Sequence, residues 1–387
     1  MICTTFPKNA CVLVRVDLNV PMHKNQVTDD TRIRLIVPTL KALRSAGNQC
    51  ILMAHLGRPK GKDLSFSLQA LIPTLNYFLH ETVAFIPDAT QVLEDIPSNA
   101  YVLLENLRFY PGEEANDTIF AQHLARLGDF YVNEAFSVSH RAHASIVGVP
   151  SYLPHAAGLL FQQELDALRQ LTEYPDPPVL AIVGGNKIST KLGLLYNLLE
   201  KASSLAVGGG LANTLLAAQG YTLGRSPCEL LMLDQAREFL KKAEKQACQL
   251  ILPVDVVVRT EENAAHICSI NDIPLGAHCL DVGPATSHQI AQEIACAGTI
   301  LWNGPLGRFE EPPFHRATEM MMRAIAVETQ RRKILSVIGG GDSVAALNAV
   351  KIDFSCFTYV STSGGAFLEF LEGADLPGVR ALNTQNP

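Results

Sequence analysis

Residues 179–202, VLAIVGGNKISTKLGLLYNLLEKA, combine in one stretch the features that decide the fold. An apolar run, Val179–Val183, leads into Gly184-Gly185, and a helical pattern of leucines follows. A buried strand that passes through a glycine turn into a helix is typical of parallel α/β sheets. Lys187 and Lys191 stand in the expected first turn of this helix, where free N–H groups and the helix dipole favour anions. The stretch therefore predicts a parallel sheet with either an anionic ligand at this turn or two solvated lysines.

Similar strand–glycine–helix junctions recur through the second half of the chain. The glycine clusters are Gly184-Gly185, Gly208–Gly210, Gly339–Gly341 and Gly364-Gly365. Such turns gather at the carboxyl edge of a parallel sheet, where ligands bind, and glycine lets backbone N–H groups approach a phosphate. One cluster alone is explained by a tight turn, but four favour a nucleotide site. The G-x-x-x-x-G-K-[ST] and G-x-G-x-x-G motifs are absent, so the site would have another design.

Two acidic residues near these turns are candidates for nucleotide contacts. Asp342 opens a helical pattern after the third glycine cluster, as a helix N-cap or as a ligand of Mg²⁺ bound beside phosphates. Glu310, in WNGPLGRFE, is a candidate acceptor for ribose hydroxyls, although by itself it would pass for a surface glutamate.

The first half of the chain carries arginine and histidine at its strand ends. The segments are RVDLNVP, TRIR, HLGRP, LENLRF and SHRAH, with Arg15, Asp17, Asn19, Arg32, His55, Arg58, Arg108, His140 and Arg141. The planar guanidinium suits carboxylates and phosphates, and Asp17 and Asn19 offer acceptors for a hydroxyl. Each residue alone is more typical of a surface ion pair. Together they predict a pocket for a small molecule with phosphate, carboxylate and hydroxyl groups.

Strands and helices alternate along the 387 residues, a length that suits two domains. We expect strands at Cys11–Val16, Cys50–Ala54, Val83–Ile86, Tyr101–Leu104, Phe130–Asn133, Val179–Val183, Leu205–Val207, Leu250–Val258, Thr299–Trp302, Ile334–Ile338 and Thr358–Ser361, with helices at Thr31–Ala46, Ser67–Glu81, Thr118–Leu127 and Gln162–Thr172. A proline cluster near residues 174–178 marks the boundary, so residues 1–172 and 173–372 form the two predicted domains. The segment from about residue 373 loses periodicity and either frays or packs on the first domain.

Composition excludes several classes of function. Net charge is −7, and both halves are slightly acidic, with 14 basic against 16 acidic residues in 1–170 and 17 against 22 in the remainder. This balance argues against nucleic acid as the partner. Nine scattered cysteines without a C-x-x-C pair favour reduced thiols over disulfides or zinc. Without a secretory signal pattern or a membrane-length apolar run, we expect a cytoplasmic protein.

Nine segments resemble the phosphoglycerate kinase family, in the family's order over about 350 residues and with a bacterial-type length. They are RVDLNVP, HLGRP, LLENLRF, SHRAH, VGGNKISTK, VGGGLANT, LWNGPLGRFE, IGGGDS and STSGGAFLE. The resemblance implies an α/β fold of two domains, each with a parallel, doubly wound sheet flanked by helices, joined by a hinge helix. It also implies that the tail, about 373–387, returns to the first domain.

The family's functional residues carry over by motif. The resemblance implies that 3-phosphoglycerate binds to Asp17, Leu18, Asn19, Arg32, His55, Leu56, Gly57, Arg58, Arg108 and Arg141. Mg²⁺ with ADP or ATP would bind at Gly184, Lys187, Lys191, Gly209, Asn303, Glu310, Gly339, Gly340, Gly341, Asp342 and Ser343, with Asp342 as the metal ligand. Arg32, Lys191 and the backbone around Gly341, Gly364 and Gly365 would stabilise the transferred phosphoryl group.

The implied reaction is reversible transfer between 1,3-bisphosphoglycerate and ADP, in line and after domain closure, in a monomer without nucleic acid or membrane partners. Its carboxylate nucleophile is ionised at neutral pH and needs no general base. Catalysis then reduces to positioning and charge stabilisation.

Four residues depart from the family pattern: Glu134 and Ser137 in EAFS, Asn186, and Ser363 before the last glycine pair. At Ser363 a left-handed backbone would cost roughly 1 kcal/mol, whereas an ordinary one would allow a helix N-cap. These departures leave open a relative that binds both ligands without efficient transfer. The remaining alternatives are a binding protein that reuses the fold and a kinase for another carboxylate. Efficient turnover with 3-phosphoglycerate would distinguish an active phosphoglycerate kinase from these two alternatives and from the inefficient relative.

Overall fold

A computed structural model describes residues 5–90 and 101–384. The chain divides into two compact units, Met1–Asp166 with Asp375–Pro387, and Ala167–Ala374. Each unit contains a six-stranded sheet in which every pair of neighbouring strands is parallel. The predicted α/β fold with two parallel sheets is therefore confirmed.

The first unit is built around a sheet of order β5-β6-β4-β1-β7-β8. Its strands are β1 (Cys11–Arg15), the short β2 (Met22–His23) and β3 (Gln26–Val27), which form a separate hairpin, β4 (Gln49–Met53), β5 (Val83–Ile86), β6 (Tyr101–Leu104), β7 (Phe130–Asn133) and β8 (His155–Ala157). Its helices are α1 (Thr31–Ser45), α2 (Ile72–Leu79), α3 (Pro111–Glu114) and α4 (Thr118–Ala125), and α5 (Leu159–Glu173) leads out of the unit. The central strands are apolar because helices cover both faces of a parallel sheet.

The second unit has a sheet of order β11-β10-β9-β15-β16-β17. Its strands are β9 (Val179–Val183), β10 (Ser204–Val207), β11 (Gln249–Ile251), β12 (Asp255–Arg259), β13 (Ala265–Ser269), β14 (His278–Val282), β15 (Thr299–Asn303), β16 (Leu335–Gly339) and β17 (Tyr359–Ser361). Its helices are α6 (Leu192–Lys201), α7 (Gly209–Ala218), α8 (Leu233–Ala243), α9 (Pro284–Cys296), α10 (Arg316–Arg332), α11 (Gly341–Val350) and α12 (Gly364–Leu371). Trp302, the single tryptophan, is fully buried in its core.

The predicted single strand Leu250–Val258 is wrong. The structure divides it into β11, in the parallel sheet, and β12, which pairs antiparallel with β13 and β14 in a separate three-stranded sheet. Pro253 lies between the two strands and has no N–H for a strand ladder. Val256 and Val258 alternate with partly exposed neighbours, which is typical of a half-buried antiparallel strand.

The helix predicted at Gln162–Thr172 is α5, and the two units meet within it, between Asp166 and Ala167. The C-terminal segment forms α13 (Pro377–Leu382), which packs against the first unit, where the Gly378 N–H donates to the Ser139 carbonyl at 2.8 Å. The last three residues of the predicted tail lie outside the described residues. None of the described helices is both long and apolar enough to cross a membrane.

Candidate active site

In the first unit, the loops at the carboxyl ends of β1, β4 and β7 carry most of the predicted anion-binding residues. The strand order changes direction at β1, which pairs with β4 on one side and β7 on the other. Ligands of parallel sheets bind at such a point because the flanking loops separate there and leave a crevice. Asp17 and Asn19 follow β1, His55 and Arg58 follow β4, and Arg141 comes after β7.

Asp17 is the centre of this cluster. Its carboxylate accepts hydrogen bonds from the Asn19 N–H at 3.0 Å and the Ser137 hydroxyl at 2.5 Å, and it lies 3.1 Å from the Arg32 guanidinium. Burial alone would raise the pKa of Asp17, but the charge of Arg32 and these hydrogen bonds outweigh burial and hold it below the ordinary value. Asp17 is therefore an ionised acceptor. Arg32, from α1, also donates to the Asn19 carbonyl at 3.0 Å.

The loop after β4 is held by backbone contacts. The Asn19 side chain accepts from the Gly57 N–H at 2.9 Å, and Arg108 donates to the Gly57 carbonyl at 2.6 Å. Gly57 has φ +64°, and a Cβ there would overlap the Phe66 ring, so only glycine suits this turn. Leu18 and Leu56 are buried in the core, which leaves only their backbone for a ligand.

Arg58 and Arg141 are exposed at the same edge of the sheet. Burial, and then the charges of Arg15, Arg108 and Arg141, lower the pKa of His143 to about 4. These positive charges therefore lie close enough to act on one imidazole. The predicted basic residues converge although the chain is acidic overall, and such local charge favours a small anion.

In the second unit, the glycine turns lie at the carboxyl ends of β9, β10, β16 and β17. The order of the sheet changes direction at β9, which pairs with β10 and β15. A Cβ on Gly184 would overlap the Pro305 carbonyl, and Gly209 has φ +67°. By contrast, a Cβ on Gly341 or Gly364 would meet no protein atom within 4 Å. These two backbones face open space, as a phosphate-binding surface requires.

The expectation that Lys187 and Lys191 share the first turn of one helix is wrong. A short 3₁₀ turn, Ile188–Thr190, separates them, and α6 begins only at Leu192. Lys187 is exposed, whereas Lys191 is half-buried and its ammonium donates to the carbonyls of Gly184 at 2.6 Å and Asn303 at 3.2 Å. Burial lowers the pKa of Lys191 to about 8, although Asp342 opposes the shift.

The turn between β16 and α11 gathers several predicted nucleotide contacts. Gly340 is the N-cap residue of α11, so Asp342 lies in the first turn and is not the N-cap. Ser343 donates to the Gly339 carbonyl at 2.8 Å and accepts from the Gly304 N–H at 2.7 Å. The Asn303 amide donates to the same Gly339 carbonyl at 2.8 Å, and its buried Oδ1 has no hydrogen-bond partner among the described residues.

This turn fits Mg²⁺ held jointly by protein and phosphate. The described residues contain no group of three or more His, Cys, Asp or Glu side chains that would bind a metal unaided. Mg²⁺ commonly takes one or two carboxylates and completes its octahedron with phosphate oxygens and water. The exposed Asp342 supplies the carboxylate, and the free Asn303 oxygen supplies an acceptor for metal-bound water.

A cavity of about 710 Å³ adjoins this turn, a volume within the range of about 300–1,000 Å³ of small-molecule sites. Glu310 and Asp342 both line it, with Asn186 and Gly209. Sequence reasoning missed Asn213, Arg259 and Arg308, which line the same cavity. Asn213 and Arg308 lie within the quoted segments VGGGLANT and LWNGPLGRFE, where no role was predicted for them. Arg259, on β12, lies in none of the quoted motifs, and only the fold brings it to the cavity.

The departure at Ser363 causes no backbone strain. Its φ is −88°, so the left-handed conformation falls on the next residue, Gly364, with φ +43°. Ser363 is the N-cap residue of α12, but its side chain makes no capping hydrogen bond. The adjacent Gly365 is exposed at the start of the helix.

The chain is similar to known proteins over nearly its whole length. A family model described as phosphoglycerate kinase matches residues 5–374. Phosphoglycerate kinase of Xanthobacter flavus is 48% identical over 379 residues, covering 96% of this chain and 95% of the relative, and that of Dinoroseobacter shibae is 49% identical over 377 residues, covering 96% and 95%. The solved phosphoglycerate kinase of Coxiella burnetii is 40% identical, with TM-score 0.89 over 99% of this chain and 98% of that one. That of Pyrococcus horikoshii is 29% identical, with TM-score 0.85 over 97% and 96%.

Proposed function

The chain belongs to the phosphoglycerate kinase family, and on that premise we propose which residues of each unit bind its two substrates. The enzyme catalyses reversible phosphoryl transfer between 1,3-bisphosphoglycerate and ADP, a step of glycolysis. ATP and ADP are its co-substrates, and Mg²⁺ is the usual metal of the reaction.

Phosphoglycerate binds to the first unit, Met1–Asp166 with the returning segment Asp375–Pro387. The observation that carries this assignment is the hydrogen-bonded group Asp17, Asn19 and Arg32 at the carboxyl edge of the first sheet. Arg32, Arg58, Arg108 and Arg141 would bind the phosphate and carboxylate groups, while the ionised Asp17 would accept from the substrate hydroxyl. His55, Asn19 and the backbone of Leu18, Leu56 and Gly57 complete the site.

The nucleotide binds to the second unit, Ala167–Ala374. The cavity beside Glu310 has room for the base and ribose, and the open backbone of Gly341, next to Gly340, suits phosphates. Lys187 and Lys191 add positive charge, and Gly184, Gly209, Gly339, Asn303 and Ser343 shape the turn. Asp342 would hold Mg²⁺, which when bound neutralises charge on the nucleotide phosphates.

In the direction of ATP synthesis, the acyl phosphate transfers its phosphoryl group directly, in line, to ADP. In the reverse direction, the substrate carboxylate is the nucleophile and needs no base. Arg32, Lys191 and the N–H groups of Gly341, Gly364 and Gly365 stabilise the charge on the moving group. Transfer requires the two ligands to be brought together and shielded from water, which we assign to domain closure.

We also propose a monomer located in the cytoplasm. The eight cysteines that the structure describes are all free thiols, which supports a reducing compartment. Sedimentation velocity tests the oligomeric state.

The decisive experiment measures ATP consumption with 3-phosphoglycerate and Mg²⁺, coupled to NADH oxidation through glyceraldehyde-3-phosphate dehydrogenase. Arg32→Ala removes a guanidinium from the anion cluster. Arg34→Ala is the matched control, because Arg34 lies on the same helix but is exposed and paired with Asp30. We expect rapid turnover in the wild type and the control, and loss of roughly 10²–10³ in kcat/KM in Arg32→Ala. Equal activity of the two variants would contradict the assignment of Arg32.

A further inference from the structure

A buried polar layer beneath the proposed phosphoglycerate site has no role in the assignments above. Its centre is Arg15, at the end of β1, whose side chain is 1% exposed. The guanidinium makes three contacts: Nε donates to the Ser145 hydroxyl at 2.8 Å, Nη1 donates to the Val16 carbonyl at 2.6 Å, and Nη2 lies 3.1 Å from His55 Nδ1. Because all three contacts are directional, they fix the orientation of Arg15.

Glu113 supplies the opposite charge on the far side of Ser145. The Ser145 hydroxyl donates to Glu113 Oε1 at 2.6 Å, and the Ser145 N–H donates to Oε2 at 2.9 Å. Glu113 is fully buried, and burial raises its pKa, so a serine links the buried guanidinium to a buried carboxyl that it does not touch directly. A buried guanidinium without hydrogen-bond partners would be strongly destabilising, and this chain of hydrogen bonds compensates for the burial of Arg15.

The contact with His55 determines the chemistry of that imidazole. A guanidinium has five N–H donors and no acceptor, so the histidine nitrogen facing it must accept the hydrogen bond. Nδ1 of His55 therefore carries the lone pair, and the ring proton is on Nε2. A proton on Nδ1 would remove the acceptor and set a second positive charge against Arg15.

The other groups around His55 act in the same direction overall. The charged or titratable neighbours are Arg15 on β1, Asp17 after β1, Arg108 in the 3₁₀ turn Leu107–Phe109, and His143 before the π-helical turn Ala144–Gly148. Burial and then Arg15 lower the pKa of His55, Arg108 and His143 lower it further, and Asp17 alone opposes them. The result is a pKa well below the ordinary histidine value.

We propose that Arg15 is a positioning residue that holds His55 as the neutral Nε2–H tautomer, so that His55 offers phosphoglycerate one directed hydrogen-bond donor and no positive charge. Only the identity of the ligand rests on the proposed function; the tautomer follows from the contacts with Arg15. The arginines then supply the charge that attracts the anion, and His55 supplies direction.

The direct test is nitrogen NMR of the full-length protein labelled with ¹⁵N-histidine, between pH 6 and 8. Absence of one signal set in His55→Gln assigns the resonances of His55. We expect a pyridine-type Nδ1 and a pyrrole-type Nε2 that do not titrate in this range. An imidazolium at pH 6, or a proton on Nδ1, would overturn the proposal.

Addition of 3-phosphoglycerate separates this proposal from the substrate assignment. We expect the Nε2 resonance of His55 to shift while the tautomer stays the same. An unchanged spectrum with the expected tautomer would contradict His55 as a substrate contact and leave the role of Arg15 intact. A change of tautomer on binding would overturn the role of Arg15.

A kinetic test uses Arg15→Met, which removes the donor and the charge but keeps a long apolar side chain. Without Arg15, one of the causes that lower the pKa of His55 is removed, so the imidazole gains positive charge more readily as pH falls and attracts the anionic substrate. We therefore expect the ratio of the 3-phosphoglycerate KM in the variant to that in the wild type to fall several-fold from pH 8 to pH 6. The ratio cancels the titration of the substrate phosphate. An unchanged nucleotide KM shows that the variant is folded, and Arg34→Met is the matched control. If the ratio of the two 3-phosphoglycerate KM values does not depend on pH, Arg15 has a structural role only and the proposal is overturned.

Discussion

The two units present anion-binding surfaces of different construction on similar sheets. In the first unit, side chains make the surface: arginines and a histidine whose positions depend on buried partners such as Asp17 and Arg15. In the second unit, the backbone makes much of it, through turns at Gly340 and Gly364. Glycine turns offer rigid N–H groups for phosphates, whereas arginine forks suit a ligand with several different anionic groups. We therefore expect substitutions that remove a side chain to impair ligand binding at the first surface. At the second surface, we expect substitutions that add a side chain to a glycine to impair it.

Lys191 is the exception in the second unit, since it is a half-buried side chain on a surface built mainly from backbone N–H groups. Its loss has the largest expected effect. Lys191→Met should lower kcat by roughly 10²–10³, because it removes a charge near the transferred group in a water-poor site. Lys187→Met is the matched variant: its exposed lysine should change the nucleotide KM more than kcat. Coupled assays of both variants measure the difference, and equal effects on kcat would contradict the special role of Lys191.

The pH dependence tests the same lysine. Because burial lowers the pKa of Lys191 to about 8, the free enzyme loses this positive charge as pH rises through 8. We expect kcat/KM for the nucleotide to fall on the alkaline side with an apparent pKa near this value. Lys191→Arg keeps its charge at higher pH, so any activity it retains should lack this alkaline limb. If the wild type and Lys191→Arg show the same alkaline decrease in kcat/KM, the decrease belongs to another group.

Two adjacent glycines test the backbone-built surface. A Cβ on Gly341 enters open space, so Gly341→Ala should fold normally but obstruct the phosphates. We expect the nucleotide KM to rise roughly tenfold, the value of one charge-assisted hydrogen bond of about 1.5 kcal/mol.

Gly340→Ala should instead reduce stability. Gly340 has φ +99°, and a Cβ there would lie 2.8 Å from the Asn303 amide nitrogen. The expected cost is about 1–3 kcal/mol of unfolding free energy. Thermal melts and nucleotide titrations distinguish the two variants. If both variants lose nucleotide affinity and neither loses stability, the expected difference between Gly340 and Gly341 is contradicted.

In the first unit, Glu134 allows a test of the buried hydrogen bonds that lie beneath the anion-binding surface. It lies at the end of β7, and its buried carboxylate accepts from the Thr39 hydroxyl and from the N–H groups of Leu160 and Phe161 at the start of α5. Burial raises the pKa of Glu134 to about 7, although these hydrogen bonds oppose the shift.

The folded protein therefore binds this proton more tightly than the unfolded chain does. The contribution of Glu134 to stability is present at acid pH and is lost as pH rises through 7. We expect the Tm of Glu134→Gln, relative to wild type, to rise between pH 5 and pH 8. Parallel Tm curves over this range would show that the carboxyl is not perturbed.

Ser137 should have the smallest effect. Its hydroxyl occupies Asp17, the acceptor proposed for the substrate hydroxyl. Ser137→Ala should therefore lower the 3-phosphoglycerate KM roughly two- to fivefold, since a competing hydrogen bond is removed. Inhibition by an analogue without the 2-hydroxyl should be unchanged by the substitution. An equal change for both ligands would exclude competition at Asp17.

Secondary structure was largely predictable because apolar runs of strand length, bounded by turns, mark buried parallel strands. Val83–Ile86, Tyr101–Leu104, Phe130–Asn133 and Val179–Val183 have the predicted bounds. Pattern reasoning missed β8, with three residues, because such a run is too short to show a period. It also missed β13, which has no buried residue, and β14, in which partly and fully buried residues alternate at first. Both patterns give a weaker signal than a fully buried run.

The motifs and the family resemblance identified the charged residues of both surfaces. They did not identify the buried contacts that hold those residues in place. Arg15 contacts Ser145 across 130 positions and His55 across 40, and neither spacing leaves a periodic pattern. The lysine pair shows a related limit: four-residue spacing predicts one helix face only if the segment is an α-helix, and here a 3₁₀ turn intervenes.

The sequence by itself determined the two-domain α/β architecture, since alternating buried strands and amphipathic helices have few other stable arrangements. It also determined which groups can bind anions, since arginines and glycine turns can be recognised directly in the sequence. Only the tertiary structure decided which groups are ionised, buried or free. Lys191 and Lys187 have the same chemistry in the sequence, yet Lys191 is half-buried and bonded to two carbonyls, whereas Lys187 is exposed. Burial and long-range partners set these properties, and both arise only when distant segments pack together.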